Sequence, residues 1–400
     1  MSPLTATRPA APFEEAKVRV AGAVEAARDE ILDLSHRIHS DPEPAFEEVH
    51  AAAWVAETLA RHGFTVEHPA GSLQTAVRAT LRGRAGDGPR IGILAEYDAL
   101  PGLGHGCGHN TMAASGVGAA IALASLADEL PGEIVFLGTP AEERGSGKQI
   151  MIDDGLFDGL DAALLYHPCD RNHVESHPLA SEDVDVVYTG LQSHASSDPW
   201  RGKNALDALI VLFTSVGLWR QQLHPTARVH GIIKEGGTAA NIIPDRTSAW
   251  FMIRSDNESD YAAMRDRFRH LCEAAALATD TTVEVTFSGA ARTMRNNRVL
   301  VDRFRANMAA YGIEDQGEDP TAGSTDMANV SWVTPTIHPE LAIAPEGTPG
   351  HSILFRDAAV TPRADETTLL AATLVAQTAI ELFKDPELVA AAWAEFRTPD

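Results

Sequence analysis

Apolar positions along the first part of the chain follow two rhythms. From Phe13 to Arg61 they recur at helical spacing, which predicts two helices, the first stopped by the prolines of Ser40-Asp-Pro-Glu-Pro44. Further on they gather into short, almost unbroken runs: Arg90-Ile-Gly-Ile-Leu-Ala95, Ile134-Val-Phe-Leu-Gly138 and Ala162-Ala-Leu-Leu-Tyr166. Such runs suit strands covered on both faces. A helix rich in small residues is predicted between the first two, over residues 110–130. Strands alternating with helices imply an α/β fold, a mostly parallel sheet with helices on both faces.

The rhythm changes after about Ser181. Residues 184–188, 228–233, 247–254 and 282–287 read as strands, and 204–222 and 259–279 as helices. That order, βαββαβ, is the signature of a ferredoxin-like split βαβ sandwich. The α/β pattern resumes near Asn296. The expected organisation is therefore a catalytic domain in two parts, residues 1–182 and 293–400, with a small domain inserted at 183–292.

Size and composition agree with this division. A chain of 400 residues exceeds what one core usually organises. Hydrophobic content of 44% with 22% charge is that of a globular protein. The 32 basic residues against 56 acidic ones give a net charge of −24, which disfavours nucleic-acid and anionic-membrane partners and fits a highly soluble enzyme. Residues 1–13 hold no continuous apolar segment of the signal-peptide kind, and no run approaches membrane-spanning length. Cys107, Cys169 and Cys272 are an odd, scattered set, so a disulfide framework is not expected and a cytoplasmic location is.

Candidate chemistry sits at the ends of the apolar runs. After the first come Glu96-Tyr-Asp98 and Gly104-His-Gly-Cys-Gly-His-Asn110; after the second, Thr139-Pro-Ala-Glu-Glu143; after the third, His167-Pro168. In open parallel sheets, ligands bind outside the carboxyl ends of the strands, so these residues are expected to meet. Cys107 and His109 are one residue apart and point the same way on extended backbone. A thiolate, imidazoles and a carboxylate suit zinc or a similar first-row ion. Of Glu142 and Glu143, one can bind metal while the other moves the proton of the attacking water. His351 lies in Gly347-Thr-Pro-Gly-His-Ser352, a loop able to fold back over the sheet edge. Singly, each has a bland counterpart: a packed thiol, a solvated acidic pair, one structural histidine among 16. Their conjunction marks the site.

With these motifs the chain resembles the aminoacylase/carboxypeptidase-type di-metal peptidases and amidohydrolases. The resemblance is to the branch that holds hippurate hydrolase, auxin-conjugate amidohydrolases, aminobenzoyl-glutamate hydrolases and β-alanyl dipeptidases. Beyond the segments already quoted, it is carried by Leu34-Ser-His-Arg-Ile-His-Ser-Asp-Pro-Glu43, Gly190-Leu-Gln-Ser-His-Ala195, residues 231–245 and Gly323-Ser-Thr-Asp-Met327. It implies two divalent ions per chain on Cys107, His109, Glu143, His167 and His351. Zinc or manganese is foremost, with cobalt or nickel able to occupy such a site. It further implies Glu142 as general base and acid, and Asp98 as the carboxylate supporting the ligands. His194 becomes the oxyanion donor, often across a dimer, and Asn241 and Arg254 the substrate-holding residues. The expected reaction is hydrolysis of an amide-type C–N bond in an N-acyl amino acid, a dipeptide or an aminobenzoyl-glutamate-like molecule. The inserted domain would act as lid and homodimer interface. Glu96 and Asn110 stand where many hippurate-type members carry Asp, which points towards the dipeptidase and aminobenzoyl-glutamate side. The competing readings are a hydrolase of ureido, amidine or aryl-amine bonds and a non-catalytic binding protein, the latter having no need of Glu142.

Overall fold

The computed structural model describes residues 13–317 and 323–398, which divide into two compact units. The larger comprises residues 13–176, 295–317 and 329–398; the smaller, residues 177–294 and 323–328.

The larger unit is built on six strands, in sheet order Thr65–Glu67, Val77–Arg82, Glu133–Thr139, Arg90–Glu96, Ala162–Leu164 and Thr336–Ile337. The last four are mutually parallel, whereas the first two join antiparallel, so the sheet is mixed. The short link between Glu67 and Val77 accounts for the antiparallel pairing of the first two strands, because a parallel return needs a crossover of about a dozen residues or more. Central strand Arg90–Glu96 is buried throughout except at Arg90. Helix His109–Ala124 is buried from His109 to Leu123, which is why its apolar and small residues run all round it. Gly116 allows its close approach to the sheet: a Cβ there would lie 2.9 Å from the Leu94 carbonyl oxygen and from Ala95 Cβ.

The N-terminal region forms three helices, Glu14–Ala26, Arg28–Ser40 and Val49–Arg61, instead of the two expected. The extra break is at Ala27 (φ −97°, ψ 7°), where neither proline nor glycine marks it. Arg28 there bonds both Glu25 and Glu366 of helix Pro362–Lys384, a tertiary anchor that local sequence does not reveal.

The smaller unit carries a four-stranded antiparallel sheet in the order Thr282–Ala291, Ala180–Thr189, Arg246–Ser255, Arg228–Glu235. Two of these strands, Ala180–Thr189 and Arg228–Glu235, are separated by the antiparallel Arg246–Ser255. Alternation turns Val184, Val186 and Tyr188 inward, against Leu209 and Leu212 of helix Ala205–Trp219 and Phe268 and Cys272 of helix Glu258–Thr279. Asn257 starts the second helix by accepting the backbone N–H groups of Ser259 and Asp260. Among the described residues, no helix is long and apolar enough to cross a membrane.

Phe268 is fully buried, its ring 5.0 Å from that of Phe251. Phe268→Ala should cost about 3–5 kcal/mol through lost burial and a residual cavity. Denaturant unfolding measures this; a loss below about 1 kcal/mol would contradict the packing described.

Candidate metal centre

Strand Arg90–Glu96 ends on a buried carboxylate, and Asp98 follows two residues later. The chain then loops through Cys107 to Gly108, which precedes helix His109–Ala124 at φ 76°. A Cβ at Gly108 would come within 2.8 Å of Pro168 Cγ, so both dihedral and space call for glycine. His109 Nδ1 lies 3.0 Å from Asp98 Oδ1 and 3.0 Å from the Asp98 carbonyl oxygen. Those acceptors keep a proton on Nδ1, and against desolvation Asp98 raises the ring well above its ordinary pKa, so Nε2 would offer its lone pair where a cation displaces its proton. Cys107 Sγ stands 3.5 Å from His167 Nε2, and His167 opens the short strand His167–Cys169.

The second loop leaves strand Glu133–Thr139. Ala141 takes a positive φ of 61°, with its N–H donating to Glu48 Oε1 at 2.8 Å. The Glu143 N–H donates to Asp98 Oδ2 at 2.9 Å. Asp98 thus grips the His109 ring with one oxygen and the Glu143 backbone with the other. His351 also has positive φ, 51°, and its N–H donates to the Gly106 carbonyl at 3.0 Å, folding the 347–352 loop onto the cysteine loop. This brings His351 Nε2 to 3.4 Å from Glu143 Oε2.

Among the described residues, three groups of potential ligands result: Cys107, His109 and His167; Cys107, Glu143 and His351; Glu96, His109 and Glu142. Within each, the donor atoms all lie within 4.8 Å of one another. The first two share Cys107, whose sulfur lies within reach of both sets of donors. Bonds of about 2.0–2.3 Å put neighbouring tetrahedral ligand atoms about 3.4–3.6 Å apart, matching the Cys107–His167 and Glu143–His351 separations. His109 Nε2 and Glu143 Oε1 are buried without a hydrogen-bond partner, which fits atoms meant for an ion.

The electrostatics agree. Desolvation, then the Glu143 carboxylate, push the Cys107 thiol well above its ordinary pKa. Desolvation also raises Glu143, against the pull of His109 and His351. For Asp98 desolvation acts upward too, but His109 overcomes it and holds the carboxyl below its usual range. Anionic ligands are thus disfavoured where they stand, and a bound divalent cation would reverse that balance.

His194, Asn241 and Arg254 belong to the smaller unit. His194 pairs with Ile242 in a two-stranded ribbon, and the Ala195 N–H donates to the Asn241 carbonyl at 3.0 Å, so His194 and Asn241 are neighbours. The backbone N–H groups of Ser196 and Ser197 both reach His194 Nδ1 at 3.2 Å, which puts the ring proton on Nε2. Arg254 lies on strand Arg246–Ser255 with its Nε buried and unbonded.

Sequence reading missed two features. Lys148 is fully buried, its Nζ 2.5 Å from Glu96 Oε1. His338 is buried 5.3 Å from the His167 ring, with neither nitrogen hydrogen-bonded. It directly follows strand Thr336–Ile337, so the rule of polar residues after an apolar strand could have found it, had that strand been longer than two residues.

Comparison with known proteins shows the family. The model of "Peptidase family M20/M25/M40" matches residues 92–381. The chain is 36% identical to Xaa-Arg dipeptidase of Homo sapiens over 412 residues, covering 96% of this chain and 93% of that protein. It is 30% identical to a p-aminobenzoyl-glutamate hydrolase component of Escherichia coli (strain K12) over 445 residues, covering 92% of each. Its fold matches that of a dinuclear metal binding peptidase from the M20 family of Bacillus subtilis. The TM-score is 0.68 at 21% identity, over 90% of this chain and 99% of that one. The chain belongs to peptidase family M20/M25/M40 and is a metal-dependent hydrolase of amide-type C–N bonds.

Proposed function

We infer that the chain is a dinuclear dipeptidase-type hydrolase whose substrates carry a free carboxylate beside the scissile amide. The observation that carries this reading is the pair of ligand groups sharing Cys107. In it, Cys107, His109 and His167 would hold one divalent ion, and Glu143 and His351 with Cys107 would hold the other, with zinc or manganese as the metal. Bound there, the ions supply Lewis-acid polarisation of the carbonyl and acidify the attacking water. Glu142 takes the proton of that water and returns it to the leaving nitrogen. Its placement within 4.8 Å of His109 and Glu96 donor atoms supports that role and argues against a non-catalytic binding protein. Asp98 keeps His109 in its ligating tautomer.

The names of the relatives, an Xaa-Arg dipeptidase and a p-aminobenzoyl-glutamate hydrolase, share an amide next to an amino acid with a free carboxylate. Arg254, with an unbonded buried Nε, suits that carboxylate through its planar fork, and Asn241 assists. His194, its proton on Nε2, is a ready donor to the developing oxyanion. The inserted domain expected at residues 183–292, which lies within the smaller unit, serves in this reading as a ferredoxin-like lid and dimer module. Its edge strand Arg228–Glu235 supports pairing with a second copy, since Ile232 and Ile233 are 56% and 46% exposed on it. The three free cysteines suit a reducing cytoplasm.

Chelation should abolish hydrolysis of dipeptides with a C-terminal basic residue and of aminobenzoyl-glutamate, and zinc or manganese should restore it. Full turnover by a demonstrably metal-free sample would refute the reading. Glu142→Gln should retain both ions while kcat falls roughly 10²–10⁴-fold; near-normal turnover would assign the proton to another group. His194→Ala should keep its ions and lose roughly 10²–10³-fold in kcat. Mixed with Glu142→Ala, it should regain activity in heterodimers if the histidine serves the partner's site. Undiminished turnover of His194→Ala would remove it from catalysis.

A further inference from the structure

Glu48 has no part in the reaction as described, yet it is fully buried and both its oxygens are engaged. Oε1 accepts the Ala141 N–H at 2.8 Å, and Oε2 accepts the Thr75 hydroxyl at 2.8 Å. Thr75 is fixed in turn, because its carbonyl oxygen accepts the Tyr97 hydroxyl, and Tyr97 is buried directly after strand Arg90–Glu96. The carboxylate is therefore tied to the sheet on one side and, on the other, to the residue that precedes Glu142. Two residues before Glu48, the Phe46 ring lies against Gly145, where a Cβ would come within 2.5 Å of Phe46 Cε2. Segment 46–48 thus grips the loop after strand Glu133–Thr139 on both sides of Glu142 and Glu143. The backbone of that loop calls for such a grip. Ala141, Gly145 and Ser146 take positive φ of 61°, 112° and 54°, and Phe46 takes 68°. Residues other than glycine persist there only where their surroundings over-determine them.

Resting on the hydrolase reading above, we propose that Glu48, seconded by Phe46, is a positioning residue that sets the Glu142 and Glu143 carboxylates through the Ala141 backbone. It acts at a distance from the chemistry: its hydrogen bonds go to Ala141 and Thr75, and it belongs to none of the ligand groups among the described residues. Without the Ala141 bond, a buried N–H loses its partner and the left-handed turn before Glu142 loses its support. Glu142 would then drift from the water it deprotonates, and Glu143 from its ion. Burial, and then the Asp98 carboxylate, push the Glu48 carboxyl up to about 7. A neutral side chain that keeps an acceptor can therefore stand in for it.

The test uses the full chain. Glu48→Leu removes the acceptor and fills the space, whereas Glu48→Gln keeps a carbonyl oxygen for the Ala141 N–H. In Glu48→Leu, kcat should fall about 10–100-fold with KM little changed. By chelator competition, one of its two zinc ions should bind about 10–100-fold more weakly, the other ion unchanged. Glu48→Gln should recover most of both losses, which a side chain that merely fills the core would not require. In metal-free protein, amide hydrogen exchange over residues 140–146 should be faster in Glu48→Leu than in wild type. If Glu48→Leu does not fold, Phe46→Ala, at a position 44% exposed, carries the test with smaller losses of the same kind. A folded variant with wild-type kcat, both ions at wild-type affinity and unchanged exchange would overturn the proposal, even if less stable, and leave the metal centre standing. A wild-type chain that binds no divalent ion would bring down the hydrolase reading, and the exchange result would still decide whether Glu48 holds the loop.

Discussion

Asp98 is the constraint on which the site depends. One of its oxygens fixes the His109 ring and the other accepts the Glu143 backbone N–H, so a single buried carboxylate sets the spacing of two loops far apart in sequence. It accepts through both oxygens as an anion; burial pushes its carboxyl up, and His109 with the Glu143 N–H holds it below its usual range. A carboxyl in the wrong protonation state would free His109 to change tautomer and leave the Glu143 loop unanchored.

Around that anchor, the strand ends act as a rigid frame and the loops as short, strained extensions. Ala141 and His351 both take positive φ, a conformation of some cost outside glycine, and both are held there by backbone hydrogen bonds, to Glu48 and to Gly106. The result is a set of anions and imidazoles whose ordinary charge states burial opposes. Cys107 and Glu143 are pushed up, and burial lowers His167 to about 4. A site so arranged couples its own stability to cation binding, since ions satisfy what folding has desolvated.

Much of this was legible in the sequence. Buried parallel strands show as unbroken apolar runs, and open sheets gather ligands beyond the carboxyl ends of those strands. Glu96, Asp98, Glu142, Glu143 and His167 could therefore be grouped from the chain alone, and Cys107, His109 and His351 joined them through spacing and resemblance. What stayed hidden depends on tertiary partners. Arg28, beside the Ala27 break, bonds Glu366, 338 residues away in the chain, and only the first pair of antiparallel strands follows from a short link. The burial of Lys148 shows only once Glu96 is found beside it. His338 follows a strand too short to announce itself. Resemblance, not periodicity, singled out His194, and its tautomer depends on two backbone N–H groups that only the fold brings to the ring.

The central claim is that Cys107 joins two ions in one centre. X-ray absorption spectroscopy of the zinc-loaded chain tests it most directly, because it reports ligand type and neighbouring metal together. The account predicts sulfur at about 2.3 Å and a second metal at about 3.5–4 Å, both lost in Cys107→Ala. A spectrum of nitrogen and oxygen neighbours alone, with no metal–metal contribution in a chain shown to hold two ions, would contradict it.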